Sequence, residues 1–206
     1  MIKETIEKEM PSKWDPNNNS QTSPDCAVSK SKSFSKIGSV KQDSLLVKDI
    51  PRTFPHLNQL FEQVHSLSKS LMNILGAFQN YRPDVGYVQG MCYLAAMLLI
   101  HQTRPDQCYV MFCNLILKYD ILYDFYTTDH TSILKTYKVF WKLIKERTPI
   151  LYDNLKENEA TCKMFLFPWI ITLFSNSFEI DLCAILWDQI FYFGQHHILR
   201  IGIAIC

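Results

Sequence analysis

Two side chains stand out by type and setting: Arg52, in the stretch LLVKDIPRTFPHL from Leu45 to Leu57, and Gln89, in RPDVGYVQGM from Arg82 to Met91. An arginine held in a fixed direction stabilises negative charge on a phosphoryl group in transfer. A glutamine amide is neither a useful acid nor a useful base, but it donates and accepts at once and so can orient an attacking water. Together they are the two groups that GTP hydrolysis needs and that an incomplete GTPase lacks. Taken singly, each has a plainer reading: Arg52 as a surface salt bridge at a helix start, Gln89 as a satisfied amide capping the helix that follows it.

The neighbours of both are of the kinds that would position them. Asp49 stands three residues before Arg52, a spacing at which a carboxylate can hold a guanidinium bidentately, and Pro51 restricts the backbone between them. Tyr87 is placed to support the glutamine loop, its hydroxyl reaching a polar partner. Gly86 and Gly90 let the backbone turn and approach a partner closely, and Arg82 and Asp84 are expected to form an ion pair that stiffens the loop. Neither G-x-x-x-x-G-K nor G-x-G-x-x-G occurs, so the chain is expected to bind no nucleotide by itself. Nor does any C-x-x-C or H-x3-H spacing suggest a metal site.

The elements carrying these residues read as helices. Leu67, Leu71, Leu75 and Phe78 form one stripe of a helix ending near Tyr81, before Arg82-Pro83. Met91 to Ile100 is apolar nearly all round, which predicts a central helix covered on several sides. Pro105 opens the next helix, toward Tyr119. Thr131 or Ser132 is expected to cap another, with Leu134, Tyr137, Trp141 and Ile144 on its buried stripe. Pro149 starts a short helix through about Glu157, and two more are expected near Lys163 to Phe174 and Ile180 to Phe193. With no hairpin dipeptides and no sustained alternation, the fold class is all-α.

Length and composition fit one folded domain behind a polar lead-in. Hydrophobic residues are 48% of the 206 and aromatics 13%, enough to build a core. Residues 1–43, rich in Ser, Asn and Lys, are expected to be a disordered tail, and 44–206 the domain. A formal charge of +1 gives no bulk electrostatic reason to expect nucleic acid or a membrane surface as partner, so polar recognition must be local. The longest apolar run, MFLFPWIITLF from Met164, is 11 residues with a proline inside, which predicts a core helix and no transmembrane segment. Seven cysteines, most among apolar neighbours, suit reduced thiols in a cytosolic protein.

The two stretches carry a resemblance. Leu46-Val47-Lys48-Asp49-Ile50-Pro51-Arg52 is similar to the I-x-x-D-x-x-R signature, and Tyr87-Val88-Gln89 to the Y-x-Q signature, of the TBC domain, a family of Rab GTPase activators. The segment from Phe167 to Gly194, including Trp187-Asp188, also resembles the family's later helices. The resemblance implies an irregular multi-helix all-α domain that supplies Arg52 as an arginine finger and Gln89 as a glutamine finger to a GTP-bound Rab. Asp49, Tyr87, Gly86, Gly90, Arg82 and Asp84 would support them. It implies that GTP and Mg²⁺ belong to the partner and that the chain needs no cofactor. It further implies a cytoplasmic protein of vesicle trafficking and intracellular protein transport, meeting endomembranes through its GTPase. Residues 1–44 lack the family's R-x-x-W element and the chain stops within an apparent helix, so a domain incomplete at its ends is expected. The other functional class open to it is a TBC-like scaffold that binds a GTPase or another trafficking protein without accelerating hydrolysis.

Overall fold

The computed structural model describes residues 44–53, 65–102 and 104–206. The expected tail, residues 1–43, lies outside them. Among the described residues there are ten α-helices, one 3-10 turn and no strand. They belong to two compact units, one holding the described residues up to Lys118 and the other Tyr119–Cys206.

The first unit contains α1 (Ser44–Asp49), a 3-10 turn (Ile50–Arg52), α2 (His65–Tyr81), α3 (Met91–His101) and α4 (Pro105–Lys118). The stripe read from the sequence is the packed face of α2: Leu71, Leu75 and Phe78 are buried. Phe78 meets Phe112 of α4 edge-on, with ring centroids 5.2 Å apart. Helix α3 is buried from Met91 through Leu99 apart from Tyr93. Its nearly uninterrupted apolar sequence follows from that position, since it packs against both α2 and α4. Pro105 stands at the first position of α4, where its missing N–H costs nothing.

The second unit contains α5 (Asp120–Tyr126), α6 (His130–Arg147), α7 (Pro149–Glu157), α8 (Cys162–Thr172), α9 (Ile180–Phe193) and α10 (His197–Ile205). Helix α5 is an addition to the sequence reading. It has seven residues, and the Gln195 side chain serves it from a distance of 74 residues by accepting from the Ile121 N–H at 3.0 Å. Two expectations for α6 are corrected. Its cap is Asp129, which accepts from the Thr131 N–H at 3.1 Å and from the Ser132 hydroxyl at 2.8 Å, because a carboxylate can serve both at once. The buried stripe is Ile133, Thr136, Val139, Phe140, Leu143 and Ile144. Leu134 is 56% exposed, and Tyr137 and Trp141 only half-buried.

Helix α8 tolerates Pro168, whose carbonyl accepts from the Thr172 hydroxyl at 2.7 Å. After it the backbone turns through Leu173 and Phe174, both with positive φ, and the Leu173 carbonyl accepts from the buried Trp187 indole at 2.9 Å. Trp187 is thus a core residue, while Asp188 beside it is exposed and has no hydrogen bond or ion pair among the described residues. Of the described cysteines, only Cys206 is exposed. No described helix is long and apolar enough to cross a membrane.

Candidate functional site

Arg52 ends the 3-10 turn that continues α1. Leu46, the first residue of the I-x-x-D-x-x-R-like stretch, is completely buried and anchors it in the core. Pro51 at the start of the turn fixes φ and removes a donor that a short helix could not satisfy. Thr53 closes the turn: it is buried, its N–H donates to the Ile50 carbonyl at 3.1 Å, and its hydroxyl donates to the Asp49 carbonyl at 2.9 Å. Arg52 itself is exposed.

Gln89 lies in the loop between α2 and α3. The Arg82 N–H continues α2 by donating to Phe78, and a turn closes when the N–H groups of Val85 and Gly86 donate to the Arg82 carbonyl at 3.1 and 2.8 Å. The Arg82 guanidinium grips Asp84 with two parallel bonds, Nε to Oδ1 at 2.8 Å and Nη2 to Oδ2 at 2.6 Å, so the loop carries the ion pair expected of it. That grip holds the Asp84 carboxyl down at about 2. Gly86 and Gly90 have φ of 67° and 105°, where side chains are disfavoured, so the turning role read for them is present.

Gly90, not Gln89, is the N-cap of α3, and no side chain caps that helix. The plainer reading of Gln89 as a helix cap therefore does not hold. Gln89 is exposed and its amide has no hydrogen bond among the described residues.

Two tyrosines join the arginine turn to the glutamine loop. The Tyr87 hydroxyl donates to Asp49 Oδ2 at 2.8 Å, across 38 residues of chain. From the first turn of α3, the Tyr93 hydroxyl donates to the Arg52 carbonyl at 3.3 Å. Burial raises the pKa of both hydroxyls, with Cys92 and Asp49 adding to it, so both remain protonated donors at neutral pH.

The expected bidentate pair between Asp49 and Arg52 is not among the contacts of the described residues. The half-buried Asp49 carboxylate takes the hydroxyl that a packed loop holds within reach, whereas an exposed guanidinium gains little from a surface ion pair. Asp49 thus holds the backbone that carries Arg52 rather than the guanidinium. The sequence reading also missed Tyr93 and Thr53; the one signal for Tyr93 was a lone hydroxyl in the apolar run that follows Gln89.

The arrangement presents one long cation and one bifunctional amide, both exposed, on segments cross-linked by hydrogen bonds within one unit. It can offer charge stabilisation and water orientation to a partner's reacting group. Among the described residues no three His, Cys, Asp or Glu side chains come together as metal ligands.

An all-α fold with these two stretches brought together defines a TBC-type domain, and comparison with known proteins agrees. Residues 5–206 match the Rab-GTPase-TBC domain family. The chain belongs to that family. It is 37% identical over 161 residues to TBC1 domain family member 14 of Rattus norvegicus, an alignment covering 78% of this chain and 23% of the rat protein. To Drainin of Dictyostelium discoideum it is 35% identical over 162 residues, 79% of this chain and 36% of that one. The chain therefore spans well under half the length of these curated relatives. The crystal structure of the Chlamydomonas flagellar RabGAP TBC domain has the same fold, with a TM-score of 0.68 at 20% identity, over 98% of this chain and 64% of the other.

Proposed function

We propose that this chain accelerates GTP hydrolysis on a GTP-bound Rab-family GTPase by inserting Arg52 and Gln89 into the partner's nucleotide site. The observation that carries the reading is the pair of tyrosine bonds, Tyr87 to Asp49 and Tyr93 to the Arg52 carbonyl, which fasten the two segments to each other while both reactive side chains stay exposed. Arg52 neutralises charge developing between the β and γ phosphates, and Gln89 orients the attacking water in place of the partner's own glutamine. GTP and Mg²⁺ come with the partner. An arginine finger supplied in trans contributes roughly 10³ to 10⁵ in rate, about 4 to 7 kcal/mol of barrier. In this role the chain acts on endomembranes through its GTPase and regulates vesicle traffic.

The test is single-turnover GTP hydrolysis by a panel of GTP-loaded Rab proteins with the chain added. At least one Rab is expected to be accelerated by orders of magnitude, and Arg52→Ala or Gln89→Ala to remove the effect. A folded chain that binds a Rab and accelerates none would replace this reading with the scaffold one.

A further inference from the structure

Helix α6 carries Lys135, Lys138, Lys142 and Lys145, spaced three, four and three residues apart. That spacing puts all four on one stripe, and all four are exposed, opposite the buried stripe from Ile133 to Ile144. Arg147 follows, and Glu146 is the one acid between Lys135 and Arg147. The concentration is local, since the unit from Tyr119 to Cys206 has more acids than bases overall.

The row is bordered by apolar surface. Leu134, four residues before Lys138 on the same face, is 56% exposed. Ile150, in the first turn of α7, is 87% exposed, and α7 packs on α6. The Lys145 ammonium lies 5.7 Å from the centre of the Tyr152 ring, which places the start of α7 at the C-terminal end of the row. Trp141 and Tyr152 meet edge-on at 5.6 Å, and both rings are half-buried.

We propose that this face of α6, with the exposed start of α7, docks directly on an anionic lipid bilayer. Lysines are compact, mobile point charges that answer to a field, whereas recognition of defined carboxylates favours the fixed fork of arginine, and the row itself contains none. Headgroups present such a field over an area. Exposed aliphatics beside half-buried Trp and Tyr rings match the boundary between headgroups and acyl chains. The surface lies outside the unit that carries Arg52 and Gln89, so it does not depend on the catalytic reading.

The test is co-sedimentation of the full chain with phosphatidylcholine vesicles with and without phosphatidylserine, at low and high salt. Binding is expected only to the anionic vesicles, weakening as salt rises. Lys135→Gln with Lys138→Gln should reduce partitioning roughly thirtyfold without changing the melting temperature, at about one lysine's worth of surface attraction each. If that pair melts lower, Lys138→Gln with Lys145→Gln gives the same readout. The proposal is overturned if the wild-type chain ignores anionic vesicles, or if a folded double variant partitions as the wild type does. It is equally overturned if soluble polyglutamate binds as tightly as the vesicles, which would assign the row to an acidic protein.

Discussion

The Tyr87 hydroxyl and the Asp49 carboxylate, 38 residues apart in sequence, form a hydrogen bond of 2.8 Å that ties the arginine turn to the glutamine loop. Neither residue needs to touch a substrate to matter. Loss of either removes one of the two bonds that fasten the arginine turn to the glutamine segment, and leaves a half-buried polar group short of a partner. Hydrogen bonds to charged groups contribute about 1.5–3 kcal/mol. Tyr87→Phe and Asp49→Ala should each destabilise the chain in urea, and the double variant should lose about 1–2 kcal/mol less than the sum. Strict additivity of the three measurements would mean that the bond contributes nothing.

The two loop glycines should differ in their response to a side chain. Gly90 begins the buried helix α3 at φ 105°, well outside the left-handed well that other residues enter. Gly86, at φ 67°, has a φ that other residues also adopt in the left-handed region, and a Cβ there meets nothing within 4 Å. Gly90→Ala is therefore expected to cost about 1–3 kcal/mol, and Gly86→Ala roughly 1 kcal/mol. Thermal melts of the two variants decide it, and an equal or reversed order would show the loop to be differently shaped.

The Arg82–Asp84 pair has a defined pH window. The carboxyl is held at about 2 by the guanidinium, below its ordinary value of 3.8, so the pair's contribution is fully present above the ordinary value. It is lost as pH falls from about 4 toward 2. Asp84→Asn should lower the urea midpoint at neutral pH, by a modest amount because the pair is solvent-exposed. The gap between variant and wild type should close over that acid window. A gap that persists unchanged to the lowest pH would mean that Asp84 acts other than through its charge.

How far the sequence could be read depended on how local each cause was. Helices α2, α3, α4, α7 and α9 were legible because prolines mark their starts or ends, or because one stripe or the whole surface is apolar. Helix α5 was not, since its seven residues follow α4 with no glycine or proline between them. The buried stripe of α6 was displaced because Leu134 and Trp141 are apolar residues at or near the surface, and periodicity cannot tell which apolar residues face inward.

The site was legible as two stretches and not as a geometry. Their residue types pointed to arginine and glutamine chemistry, but the short-range spacing suggested that Asp49 holds Arg52. The partner Asp49 takes is Tyr87, a tertiary contact that no local spacing encodes. In the same way a formal charge of +1 conceals the lysine row of α6, which appears only when burial shows that all four side chains share the solvent face.

The central claim is that Gln89 supplies the amide that orients water in the partner's site. Its most direct test uses the Rab most strongly accelerated in the panel, with that Rab's own switch glutamine replaced by leucine. Single-turnover GTP hydrolysis by this crippled GTPase should still be accelerated by the wild-type chain, and should fall to the unassisted rate with Gln89→Ala. If the wild-type chain cannot accelerate the crippled GTPase, the partner's glutamine does the work and the role assigned to Gln89 is wrong.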